Sequence, residues 1–150
     1  MRTVLTAILF LAACSGLAQS ETRYDAYIFQ PRDGGPATYA FSGGQAAVAL
    51  EVRGCGDVHM LANASAVAAQ LSARRADSET SVVTVIARGS RTYLGPCDAA
   101  EYDEARDPNE NDNLVVIEGA SARQMRSIIR SFDAAPSETR QEILTSLGLD

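Results

Sequence analysis

The sequence predicts an α+β domain: a small mixed or antiparallel sheet of about five strands, one early helix and a C-terminal helical hairpin. Three observations carry this. Short runs at 24–29, 47–53, 80–88 and 113–118 are alternating or β-branched, as strands require. Residues 63–76 and 121–147 instead repeat their apolar residues at helical spacing. Glycine- and proline-rich pieces separate the runs and supply the turns.

Taken in order, Tyr24–Phe29 is an aromatic, strand-like run that ends at Pro31, and 32–36 is turn chemistry. Tyr39–Phe41 predicts a brief strand before the turn at Gly43-Gly44. In Ala47–Arg53, Val48, Leu50 and Val52 share one face opposite Glu51 and Arg53, as in a half-buried strand. Residues 54–59 read as a glycine-flanked loop. Asn63–Ala76 predicts the early helix, with Ala64, Val67, Ala68 and Leu71 on its apolar side. Thr80–Arg88 is apolar on both faces, which predicts a central strand. Gly89-Ser90 suits a tight hairpin turn into a strand at Arg91–Leu94, and Asn113–Glu118 repeats the buried-strand pattern. Ser121 with Gln124 forms a capping-box pattern ahead of the stripe Met125, Ile128, Ile129 and Phe132. Pro136 suits the first position of a last helix that buries Ile143, Leu144 and Leu147 and ends at Gly148. The expected order is ββαβββαα.

The N-terminus carries a different message. Arg2 precedes an apolar run from Val4 to Ala13, broken only by Thr6 and too short to span a bilayer. Together they predict a secretory signal. Leu11-Ala12-Ala13-Cys14 resembles the lipobox of bacterial lipoproteins. The resemblance rests on the signal alone and implies lipidation of Cys14, which becomes the new N-terminus. Residues 1–13 are then signal, 14–23 a tether and 24–150 one domain. Ser15 beside the cysteine resembles lipoproteins sorted to the outer membrane, here facing the periplasm. Small residues at Gly16 and Ala18 also fit ordinary cleavage after residue 18, which would yield a soluble periplasmic or secreted chain.

Either cleavage leaves about 130 to 137 residues, enough for one domain. The precursor carries a formal charge of −6, and losing Arg2 takes it to −7, which argues against nucleic acid as a partner. Membrane contact is expected through the lipid only. All 13 basic residues are arginine, which removes Schiff-base catalysis and lysine-dependent phosphate loops. With Cys14 lipidated or cut away, Cys55 and Cys97 remain, and an oxidising compartment predicts a disulfide between them. The competing reading makes Cys55 a nucleophile with His59 as its base. His59 is the only histidine, so a zinc site of the usual kind lacks ligands.

Two charged features remain. Residues 98–112 are rich in Asp and Glu, and Asp107, Asn109, Asn111 and Glu118 resemble the oxygen ligands of an EF-hand calcium loop. Asp112 replaces the glycine that such a loop needs at its turn, and Gly119 with the β-branched run favours a strand over an exiting helix. A solvated acidic loop is therefore the expectation, with no cofactor. Arg123, Arg126, Arg130 and Arg140 form the opposite cluster, either a partner-binding face or a solvated one paired with the acidic loop upstream. No catalytic signature is present. The expected function is that of a non-enzymatic binding or structural protein of the cell envelope, whose partner is an envelope protein or an anionic envelope polymer. The alternative is a periplasmic enzyme or calcium-binding protein using the 98–112 loop.

Overall fold

The computed structural model describes residues 20–54, 56–77, 80–86 and 112–150. Alternation of large apolar residues draws the first strands together: β1 (Tyr24–Pro31), β2 (Ala37–Gly43), β3 (Ala46–Gly54) and β4 (Asp57–Met60) form an antiparallel meander. Helix α1 (Ala64–Arg74) follows, then β5 (Thr80–Ile86), β6 (Asp112–Ala120), α2 (Ala122–Arg130) and α3 (Ser137–Ser146). The sheet order is β4-β3-β2-β1-β6-β5. The first five of these are antiparallel and β5 joins β6 in parallel, so the domain is α+β with a mixed sheet.

Successive strand residues point to opposite faces, and both faces of this sheet are apolar. On one side Ala26, Ile28, Tyr39, Phe41, Leu50, Val115 and Ile117 pack against α2 and α3. On the other, Tyr27, Phe29, Ala40, Ala49, Leu114 and Val116 pack under α1, which contributes Leu71 with Ala64, Val67 and Ala68. The result is three layers, with one helix below the sheet and two above. Gly43 sits where a strand residue would ordinarily carry a side chain. The Tyr24 ring lies over it, and a Cβ there would come within 2.1 Å of that ring.

Three expectations need correction. Residues 57–60 are a strand and not a loop: Val52 pairs with Val58 and Glu51 with His59, so four strands precede α1. Four residues with polar Asp57 and His59, directly after Gly54 and Gly56, carry too short a pattern to outweigh the turn signal. Thr80–Ile86 lies outermost among the described strands instead of at the centre. Its two-sided apolar run reports parallel pairing, which places strands between covering layers; it does not report position in the order. Pro136 is the residue before α3 and not its first member. The predicted hairpin turn at Gly89-Ser90 and the strand at 91–94 lie outside the described residues.

The C-terminal helices follow the sequence closely. Ser121 Oγ accepts from the Gln124 amide at 3.3 Å while Gln124 Oε1 accepts from the Ser121 amide at 2.9 Å, completing the capping box. Met125, Ile129 and Phe132 are wholly buried. At the far end the Leu149 amide reaches the Leu144 carbonyl at 2.8 Å and the Gly148 amide reaches Thr145 at 3.0 Å, with Gly148 at φ +67°. This is a Schellman closure, and Leu149 and Leu144 join the same core cluster. Gly148→Ala should cost about 1 kcal/mol or slightly more, because an L side chain is disfavoured at that φ. Urea denaturation of the variant against the parent measures it, and an unchanged midpoint would count against this closure.

Candidate functional site

The ion pairs separate the arginines into two groups. Below the sheet, Arg74 Nη1 meets Asp112 Oδ2 at 3.0 Å, and its guanidinium lies 4.2 Å from the centre of the Phe29 ring. Its neighbour Arg75 pairs with Glu118. Asp112, Leu114, Val116 and Glu118 share one face of β6, so the two acids bracket an apolar centre and the paired arginines tie α1 across it. Elsewhere Arg53 meets Glu51 at 2.7 Å and Arg23 meets Glu21 at 3.5 Å. The hydrogen bond that Arg53 Nε donates to Glu51, together with the charge of that carboxylate, raises the Arg53 pKa above the usual arginine value. Each of these pairs keeps a quarter or more of both side chains exposed to solvent, and each contributes only about 0–1 kcal/mol.

The acids next to the helical hairpin are thus taken by α1. Asp112, the one described member of the acidic segment 98–112, pairs with Arg74 of α1 and not with an arginine of the hairpin; the other members lie outside the described residues. Glu118 also sits in extended strand six residues beyond Asp112, and that spacing does not gather oxygens around one ion. Asp107, Asn109 and Asn111 lie outside the described residues, as do Cys14, Cys55 and Cys97. Among the described residues no three His, Cys, Asp or Glu side chains come together, and no helix is long and apolar enough to cross a membrane.

The arginines of α2 differ. Arg123, Arg126 and Arg130 fall at i, i+3 and i+7, which places them along one side of the helix. The opposite side buries Met125, Ile128 and Ile129. The helix sequence ARQMRSIIR contains no acid, so it offers no carboxylate one turn away. None of the three arginines makes an ion pair with a described residue. In a chain of net charge −6 this is a concentrated positive strip.

The strip ends at a corner. Arg140, in the first turn of α3, donates from Nη1 to the Arg130 carbonyl at 2.7 Å and so neutralises the C-terminal end of α2. Its Nε is buried without a partner. A cavity of about 140 Å³ lies there, lined by Arg130, Ser137, Arg140, Gln141 and Leu144. Sequence reading placed all four arginines as a cluster, but it could not find this cavity, because the turn between the helices creates it.

A second, shallower groove of about 720 Å³ runs along the outer side of α3, between Glu138, Gln141, Glu142 and Thr145 and the exposed Met60 of β4. His59 Nε2 lies 3.1 Å from Asp57 Oδ1 on the exposed β4. Whether His59 meets Cys55 lies outside the described residues. Comparison with family models, curated proteins and solved structures returns no match.

Proposed function

We propose that this chain is an exported, lipid-anchored protein of the cell envelope that binds and does not catalyse, with the arginine strip of α2 as its docking face. One observation carries the reading. Arg23, Arg53, Arg74 and Arg75 are each spent on a carboxylate of the chain itself, whereas Arg123, Arg126 and Arg130 have none among the described residues. Three like charges along one short helix repel each other by a few tenths of a kcal/mol per pair, a cost that an anionic partner would reverse. The partner's chemistry is that of an anionic envelope polymer or the acidic face of an envelope protein. The export signal at 1–13 and the lipobox-like Cys14 supply the place and the tether.

The test combines mass and binding. Intact mass of the mature protein from a Gram-negative host should show a lipidated chain beginning at Cys14, and a chain beginning at Gln19 would remove the anchor. R123Q/R126Q/R130Q should lose sedimentation with isolated envelopes, and the parent should lose it as salt rises, since exposed charges are screened. Equal sedimentation of variant and parent at both low and high salt would reject the docking face.

A further inference from the structure

We propose that the open edge of β4, together with the groove between Met60 and α3, takes up an extended segment of another polypeptide as an added strand, and that this segment carries an apolar and a basic side chain on its groove side. The surface is separate from the arginine strip: α3 packs over β3, whereas α2 packs over β6.

The argument begins with the backbone. β4 stands at one end of the described sheet and pairs with β3 on its inner side. The Leu61 amide donates to the Ala49 carbonyl at 2.8 Å, one position beyond the pair of Leu50 with Met60. Successive residues of a strand turn their amides to opposite sides, so Val58 and Met60 direct their N–H and C=O groups away from β3. No described residue meets them there. A row of outward donors and acceptors is what an added strand pairs with.

The side chains set what that strand must carry. Val58 packs against the core under α2 and α3, and Met60, two residues on, lies on the same face. Met60 is the one exposed large apolar side chain among the described residues. It walls the groove of about 720 Å³ on one side, and the outer side of α3 walls it on the other. An added strand lies about 4.8 Å beyond β4 and stands alternate side chains on this face, where they enter the groove. One apolar side chain covers Met60. Glu138 and Glu142 line the same groove one helical turn apart, and no base joins them there. The Ser137 hydroxyl lies 3.3 Å from Glu138, and Glu142 has no ion pair with a described residue. A basic side chain next to the apolar one completes the fit. On the opposite face Asp57 and His59 pair with each other at 3.1 Å, so that side asks for no partner charge.

Charge also selects a foreign segment over a second copy. A two-fold axis through paired β4 strands would set both α3 helices on the same side of one joined sheet, with Glu138 and Glu142 of each copy turned toward those of the other. The net charge of −6 adds to that repulsion.

Titration of the mature protein with synthetic peptides, followed by amide NMR shifts, tests this. The probe is a short peptide with threonine at odd positions and valine, arginine and valine at the even ones. The parent should bind it with shifts centred on β4 and α3. E138Q/E142Q should weaken that binding about five-fold, and a peptide with glutamate in place of arginine should bind more weakly still. N-methylation of the amides along one edge of the peptide should abolish binding, while methylation along the other edge should not. Met60→Pro removes an outward N–H and leaves the pairing with β3, and it should weaken binding as well. R123Q/R126Q/R130Q should not weaken it, which keeps the edge and the arginine strip distinguishable. No binding by the parent overturns the proposal. Equal binding by parent and E138Q/E142Q, or by the arginine and glutamate peptides, overturns the basic partner. Equal tolerance of methylation on both edges overturns strand addition. A parent that dimerises in sedimentation, and whose dimer Met60→Pro dissolves, overturns the foreign segment in favour of a second copy.

Discussion

Phe132→Ala should cost about 3–5 kcal/mol of stability, the range expected when a fully buried aromatic is truncated and leaves a cavity. Phe132 follows α2 and is wholly buried. Its ring centre lies 4.9 Å from that of Tyr39 and 6.1 Å from that of Phe41, both on β2. This one side chain fixes the turn between α2 and α3 to the middle of the sheet. A domain of this size has a total stability of about 5–15 kcal/mol, so the variant would be close to unfolding at body temperature. Urea denaturation with an unchanged slope measures the loss, and Phe132→Leu should recover much of it by refilling the volume. A loss under about 1 kcal/mol would show that the hairpin is held elsewhere.

Asn113→Leu should raise stability by about 1–3 kcal/mol, the cost of leaving a buried amide unpaired. Asn113 is 1% exposed, and neither its Oδ1 nor its Nδ2 has a partner. It shares a face of β6 with Val115 and Ile117, which both belong to the core under α2 and α3. Leucine has nearly the same volume, needs no hydrogen bond and suits that face. The measurement is the denaturation midpoint of variant against parent at equal slope. A destabilised variant would mean that the amide is satisfied in solution by water or a bound group, and the strand would then owe part of its stability to that group.

Much of the C-terminal third was legible in the sequence. The Ser121–Gln124 box, the buried stripe Met125, Ile128, Ile129 and Phe132, and the stop at Gly148 all depend on residues a few positions apart. Such features are written locally, and the structure reproduces them. Leu71 and its neighbours on α1 were legible for the same reason. β4 was not, because its four residues follow directly on Gly54 and Gly56 and its pairing with β3 outweighs its own weak pattern. The placement of 80–86 failed differently. A run apolar on both faces tells how a strand is covered, while its neighbour β6 lies more than 25 residues further along the chain.

The candidate site divides along the same line. Four arginines close in sequence were visible as a cluster from charge alone, and so was the acidic run before them. Which acids meet which arginines was not visible: Arg74 and Arg75 stand about 40 residues from the carboxylates they hold. By itself the sequence determined the α+β class, the helical hairpin with its cap and stop, and the arginine strip on α2. These follow from periodicity and from hydrogen bonds closed within one turn. Only the tertiary structure decided the strand order, the parallel place of β5, the bracing of α1 by Asp112 and Glu118, and the small cavity beside Arg140. Each of those depends on packing between segments far apart in the chain, where burial selects the partner and local preference has no say.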